Sequence, residues 1–350
     1  MTFKTESVCV VIPVYNCAST ISNTLESLKN QSVQPEEIII AYNLSADNTL
    51  ELIRGFSDMP NLRIVEVPEN IKGPAGARNF ACRDCHLKII AFTDGDCVLP
   101  QNWIENIVLH FNEFDIGILT GPVKGIFPVS VFDKYQTVFG LNIVNENRIY
   151  SQLELFKSFG HTANMSVLKD VYIEIGGFNE SLFYAEDHDF CYRILSTGKY
   201  KLMFSNAVEI NHIFRTNLNK FIKISFNYNK AHSFLVSKFH QRFTVKFKNK
   251  KIIDFKFKSK SRFGFIFDLW TFNKKILLLI ILSAFINPLF LLALFLYLLK
   301  IESKIYLKFS DSPLFSANDR YKIFSIFLLE NSCAFAGEIC GFFKRVFRAN

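Results

Sequence analysis

The chain has 350 residues, 49% of them hydrophobic and 21% charged, with a formal charge of +8. That apolar content is ample for a core and excludes a disordered chain, and the length suits one large domain or a domain with an appendage. The charge is concentrated: twelve Lys and Arg face two Asp between Lys238 and Lys275, directly before residues 276–299, which carry none. A basic run beside an apolar one reads as a cytoplasmic membrane flank, and no nucleic-acid-binding motif accompanies it, so the expected partner is a membrane and not nucleic acid.

Met1 to Glu6 is polar and the first apolar run, Val8 to Val14, is only a strand long, so no secretory signal is expected and the first half should stay in the cytosol. The eight cysteines are accordingly expected as free thiols. Val8 to Pro13 and Glu37 to Ala41 predict strands, with Ala18 to Leu28 between them at helical spacing. Asn61 to Val67 predicts a third strand, Ala75 to Cys85 a helix and Leu87 to Phe92 a fourth strand. Cys82-Arg83-Asp84-Cys85-His86 matches the haem c attachment pattern, but it falls in that helix of a cytosolic unit and reads as coincidence.

Strands alternating with helices imply an α/β fold with a mainly parallel sheet, whose ligands bind beyond the carboxyl ends of the strands. Pro13 to Asn16, Asn43 to Asp47 and Asp94 to Asp96 all follow strands and should converge there. Two acidic clusters stand out: Asp94-Gly95-Asp96 after a buried strand, and Glu186-Asp187-His188-Asp189 before Phe190. Carboxylates one residue apart at a strand end suit a hard divalent cation that holds a diphosphate, and the second cluster suits a general base. Taken alone each has an ordinary reading, a turn for the first and the acidic first turn of a helix ending near Thr197 for the second.

Val11-Ile12-Pro13-Val14-Tyr15-Asn16, Ser45-Ala46-Asp47-Asn48-Thr49, Gly76-Ala77-Arg78-Asn79, Asp94-Gly95-Asp96, Gly176-Gly177-Phe178-Asn179-Glu180 and Glu186-Asp187 together resemble family 2 glycosyltransferases of the GT-A fold, in the family's order. The resemblance runs from about Val8 to Arg215 and implies transfer of a sugar, with inversion, from a nucleotide diphosphate sugar. It implies that Pro13, Tyr15 and Asn16 border the nucleobase and ribose, and that Arg78 faces the base or diphosphate. Asp96 would ligate Mg²⁺ or Mn²⁺, with Asp94 toward the ribose or the metal's water shell. Asp187 would take the acceptor hydroxyl's proton, with Glu186 orienting it. His212, in Glu209-Ile210-Asn211-His212, matches a histidine placed near the metal in some members, or is simply hydrogen-bonded at a strand end. His161 and Asn164, before Met165-Ser166-Val167, resemble residues of a loop bordering donor sugar or acceptor, Asn164 being the better candidate of the two.

The chain departs from the family at Tyr42 and Asn43, where an Asp is usual; an Asn amide still bonds uracil or guanine but is not an acceptor-only group. Asp47 reads either as a nucleotide contact or as an Asx turn before Thr49 to Gly55. Two other classes stay open, a non-catalytic nucleotide-sugar-binding protein and a sugar nucleotidyltransferase. The second is disfavoured because no Gly-rich, Arg- and Lys-containing loop follows the first strand.

The expected organisation is a GT-A catalytic domain over 1–215, a basic aromatic-rich segment over 216–275 and a membrane-associated helical region over 276–350. Ile276 to Leu299 would span about 36 Å as a helix, enough for one crossing, but Asn287-Pro288 halves it and both flanks are basic, which favours a re-entrant hairpin. Ile323 to Phe343 carries Glu330, Asn331 and Glu338 and reads as an interfacial helix or weak second span. Leu218 to Phe239, with aromatics among lysines, reads equally as a surface that docks on the bilayer or as a core helix. A transferase held there would use a lipid-linked glycan or glycolipid acceptor at the cell membrane, its catalytic domain cytoplasmic.

Overall fold

Val8–Val14 forms β1, buried at every position but Pro13, the pattern of a strand covered on both faces of a parallel sheet. In this computed structural model, residues 7–139, 146–153, 160–214, 216–240, 242–247, 250–256, 265–268, 294, 297–300 and 317–347 are described. After β1 come α1 (Ile21–Lys29), β2 (Glu37–Tyr42), α2 (Thr49–Arg54), β3 (Leu62–Glu66), α3 (Gly73–Cys82), β4 (Ile89–Phe92), β5 (Cys97–Val98), α4 (Trp103–Glu113), β6 (Ile118–Thr120) and β7 (Val123–Ile126). α5 (Val131–Phe139), β8 (Arg148–Tyr150), β9 (Met165–Leu168), α6 (Lys169–Ile175), α7 (Glu186–Ser196), β10 (Leu202–Phe204) and β11 (Ile210–Ile213) follow. The chain then forms α8 (Leu218–His240), β12 (Arg242–Phe247), β13 (Lys250–Lys256), β14 (Phe265–Asp268) and α9 (Ala317–Phe347).

The residues divide into two compact units, Met1–Pro128 with Gln136–Arg215, and Val129–Tyr135 with Thr216–Asn350. In the first unit an eight-stranded sheet runs β3-β2-β1-β4-β9-β6-β10-β8. β3, β2, β1 and β4 are mutually parallel, so their carboxyl ends share one edge. α1 packs onto this sheet with Ile21, Leu25 and Leu28, apolar at helical spacing. Each strand and helix expected up to Phe92 is present with ends shifted by a few residues.

One expectation fails here. Met165-Ser166-Val167, read as a loop, is the body of β9, a strand antiparallel to both neighbours, β4 and β6. An antiparallel insertion needs no crossover helix, so the alternation of strand and helix does not reveal it. Its residues are buried, and Asn164 just before it is a structural hub: its Oδ1 accepts from the Trp103 indole at 3.1 Å and its amide donates to the carbonyls of Pro122 and Val208 at 3.0 and 2.7 Å. A second sheet, β5-β11-β7, pairs Cys97 with His212. All eight cysteines are free thiols, with Cys82 and Cys85 of the haem-like motif buried.

In the second unit, Val129–Tyr135 is held by bonds that its place in the sequence hides. The Asp133 carboxylate accepts from the Thr216 and Ser130 amides at 2.7 and 2.9 Å, Lys134 pairs with Asp319 at 2.7 Å, and the Tyr135 hydroxyl donates to Glu330. α8 and α9 pack closely: a Cβ on Gly337 or Gly341 would collide with the backbone of Phe226 or Lys230. Ser225 and Ser233 donate across the helix pair to the carbonyls of Glu330 and Glu338. Small residues and serine bonds are how helices associate where water drives little of the packing. Within α9, the 20 residues Lys322–Gly341 are long and apolar enough to cross a membrane, with mean hydropathy 1.4 over an 18-residue window. The proposed hairpin over 276–299 lies outside the described residues, apart from 294 and 297–299.

Gly121 packs where a Cβ would stand 2.7–2.9 Å from Val208, Ser205 and the Asn164 amide. Gly121→Ala should therefore destabilise the first unit by about 1–3 kcal/mol, read as a lower urea midpoint at unchanged slope.

Candidate active site

The carboxyl edge of β1, β2 and β4 opens into a cavity of about 620 Å³. β1 delivers Pro13 and Tyr15 to its wall, β2 delivers Asn43, and β4 delivers Asp94, Gly95 and Asp96. Opposite them stand Arg78 from α3 and Glu186 from the first turn of α7. Tyr15 is 61% exposed, leaving an aromatic face at the rim.

Arg78 is 2% exposed, and an arginine so placed needs carboxylates. It donates to Asp94 Oδ1 at 2.6 Å and to Glu186 Oε1 at 3.0 Å, with the Phe178 ring 5.8 Å away. Both expected acidic clusters are thus joined through one guanidinium. α7 begins from Ala185, a buried alanine at φ +60°, in the left-handed region where a side chain is strained. That turn aims Glu186 into the cavity and Asp187 beside it.

The two carboxyls of α7 are driven apart. Burial, then the adjacent Asp187 charge, push Glu186 up to about 7. Burial acts the same way on Asp187, but the His188 and His161 imidazoles outweigh it and hold this carboxyl well below its ordinary range. Asp187 Oδ1 accepts from the His188 amide at 2.8 Å and faces His188 Nδ1 at 3.0 Å, while Oδ2 faces His161 Nδ1 at 3.4 Å.

Asp96 meets His212 at the other end of the cavity floor. The second sheet sets this pair, since the Ile213 amide donates to the Asp96 carbonyl at 2.8 Å, and Asp96 Oδ1 then lies 3.2 Å from His212 Nε2. Ligand atoms of Asp96, Cys97 and His212 lie within 4.8 Å of one another. Burial, above all, pushes the Cys97 thiol well up, and a soft sulfur is a poor match for a hard divalent cation. The remaining carboxylate oxygen and imidazole nitrogen, with Asp96 partly exposed, fit a divalent cation that takes further oxygens from a phosphate.

Of the other expected site residues, Asn16 and Asp47 brace the loops instead of lining the cavity. Asn16, at φ +51°, accepts from the Ala46 amide, and Asp47 accepts from the Ala18 and Thr49 amides. Thr49's hydroxyl bond, above all, lowers the Asp47 carboxyl from its ordinary value. Asn164 is likewise turned into the protein, as described above. Lys72, Thr162 and Phe183 also line the cavity and sequence reasoning missed them. Lys72-Gly73-Pro74 carried a usable signal: Pro marks the start of α3, whose N-terminus is a place for anionic groups. Phe183, packed across Gly73 (φ +80°), gave none.

Residues 9–176 match the family model described as Glycosyl transferase family 2. The chain is 25% identical over 210 residues to the O-antigen chain rhamnosyltransferase RfbN of Salmonella typhimurium, covering 59% of this chain and 66% of that one. It is 38% identical over 109 residues to the UDP-Glc:alpha-D-GlcNAc-diphosphoundecaprenol beta-1,3-glucosyltransferase WfaP of Escherichia coli, 31% of this chain and 42% of that one. Its fold resembles the mannosyltransferase PcManGT of Pyrobaculum calidifontis, solved with GDP-Man and Mn2+, at a TM-score of 0.54 and 17% identity over 94% of this chain and 87% of that one. The fold is GT-A.

Replacing Arg78 by Met should leave Asp94 and Glu186 without their cation, costing about 3–5 kcal/mol of stability in thermal or urea unfolding. Glu186 binds its proton more tightly in the folded chain, so its contribution is full below about pH 4.5 and lost as pH rises through about 7. Urea unfolding between pH 5 and 8 should show that decline, and Glu186→Gln should flatten it.

Proposed function

We infer the activity from the glycosyl transferase family 2 domain that residues 9–176 form: the protein moves a sugar, with inversion, from a nucleotide diphosphate sugar to a lipid-linked glycan or glycolipid in cell-envelope or exopolysaccharide synthesis. The observation that carries this is the meeting, at one cavity, of the Asp94–Arg78–Glu186 bridge with the Asp96–His212 pair. A nucleoside fits between Tyr15, Pro13 and Asn43, with the diphosphate toward Lys72 and the start of α3. Asp96 and His212 would hold Mg²⁺ or Mn²⁺, which supplies charge neutralisation for the leaving diphosphate. Asp187, held low by the two imidazoles beside it, takes the acceptor hydroxyl's proton as that oxygen attacks the anomeric carbon. Glu186 holds Arg78 and so fixes the wall beside it.

The acceptor class follows from the name of WfaP, which specifies a lipid diphosphate, and from the basic and apolar composition after Thr216. α8, α9 and the 276–299 stretch would hold the enzyme at the cell membrane with the catalytic unit on the cytoplasmic side. Asn43, where the family usually has Asp, is the residue that favours the other reading, a nucleotide-sugar-binding protein without turnover.

Nucleoside diphosphate release should be measured on detergent-solubilised protein with UDP-, GDP- and dTDP-sugars, lipid-linked acceptors and Mn²⁺ or Mg²⁺. One donor is expected to turn over, and Asp96→Ala and Asp187→Asn should each lower kcat by at least about 100-fold. Persistent nucleotide binding with no release from any donor would favour the binding-protein reading.

A further inference from the structure

Two aromatic rings on the cavity wall leave most of their surface open, Tyr15 at 61% and Phe183 at 58% exposure. An apolar ring left in water is a cost that a ligand can recover, and Tyr15 is already matched to the nucleoside. Phe183 has no such match, yet it stands on a segment that is firmly held. Asn79 of α3 donates to the Phe178 carbonyl and to Glu180 Oε1, both at 2.9 Å. Its Oδ1 accepts from the Phe178 amide at 2.9 Å and from the Tyr172 hydroxyl at 2.6 Å, so the side-chain amide bolts this segment to α3. Asn179 then closes the next turn, accepting from the Ser181 amide and hydroxyl through Oδ1 and from the Leu182 amide at 3.1 Å through its carbonyl.

Phe183 follows directly, and its ring lies against Gly73. A Cβ on Gly73 would stand 3.2–3.3 Å from two of the ring carbons, and φ there is +80°, so a glycine makes this close approach possible. The main chain thus supports one side of the ring while the rest faces the cavity. The groups of a nucleotide diphosphate sugar can be laid along the same wall. Tyr15, Pro13 and Asn43 take the nucleoside. Arg78 is committed to Asp94 and Glu186, so the exposed Lys72, just before Gly73, is the wall cation left to face the diphosphate. Past Lys72 and Gly73 the wall continues as the Phe183 ring, and past its diphosphate the donor continues as its sugar.

We propose that Phe183 is a specificity-determining residue whose exposed ring stacks on the pyranose of the donor's transferred sugar. The proposal rests on the transferase reading above. A pyranose carries C–H bonds on its faces and hydroxyls around its edge. Its weakly positive C–H hydrogens meet the negative face of the aromatic quadrupole, which buries apolar area without stripping water from the hydroxyls. Those hydroxyls are left to polar groups of the same cavity, Thr162 and Glu186.

Calorimetry on the full chain, detergent-solubilised with Mn²⁺, should compare UDP, GDP and dTDP with the corresponding nucleotide sugars. Phe183→Ala and Phe183→Leu should weaken the nucleotide sugar about 3- to 10-fold and its nucleoside diphosphate by less than about twofold, while Phe183→Tyr keeps both affinities. Leucine retains apolar packing on Gly73 but has no flat face, so wild-type sugar affinity in Phe183→Leu would overturn the stacking. Equal losses for sugar and diphosphate would reduce Phe183 to a support for the start of α3, which also overturns it. Unchanged donor binding with a raised KM for a lipid-linked acceptor would place the stacked ring on the acceptor and refute the donor assignment. If no nucleoside diphosphate binds even the wild-type chain, the transferase reading itself fails and takes the proposal with it.

Discussion

A guanidinium taken out of water loses several kcal/mol of solvation, and that loss is tolerated only where carboxylates replace the water. Arg78 is such a group, and the two oxygens that satisfy it come from chain segments far apart, Asp94 at the end of β4 and Glu186 at the start of α7. The ion triad therefore fixes how the end of β4 and the start of α7 face each other across the cavity. Because Glu186 is consumed in this bridge, the next carboxylate, Asp187, is released for another task. Burial and mutual repulsion then separate the two, one carboxyl raised and one lowered.

The parts of this arrangement written in local pattern were legible in the sequence. β1, β2 and β4 announce themselves as short apolar runs, and the residues after them, Tyr15, Asn43, Asp94 and Asp96, do reach one cavity. The Asp96–His212 approach was half legible: both residues lie near strand ends, but their pairing depends on the small β5-β11-β7 sheet, whose strands are only two to four residues long. Such strands carry too little periodicity to be read.

What escaped depends on contacts between distant residues. β9 enters antiparallel between β4 and β6, turning an expected loop into a strand and Asn164 from a ligand contact into a buried hub for Trp103, Pro122 and Val208. Val129–Tyr135 joins the second unit through Asp133, Lys134 and Tyr135, none of which forms a motif. His161 was noticed only as a neighbour of Met165-Ser166-Val167, because its approach to Asp187 has no local pattern until the fold sets that carboxylate beside it. Asn16 and Asp47 show the converse, since motif residues can belong to a family pattern by holding two loops together.

Ala185 bears on how freely such a site can change. Its left-handed backbone is a local cost that the surrounding packing sustains, and a glycine there would relieve it. Relief would also release the turn that separates Glu186, committed to Arg78, from Asp187. A variant selected for heat resistance alone would be drawn toward that glycine, whereas one selected for turnover would be held to alanine, so the two pressures pull this single position in opposite directions.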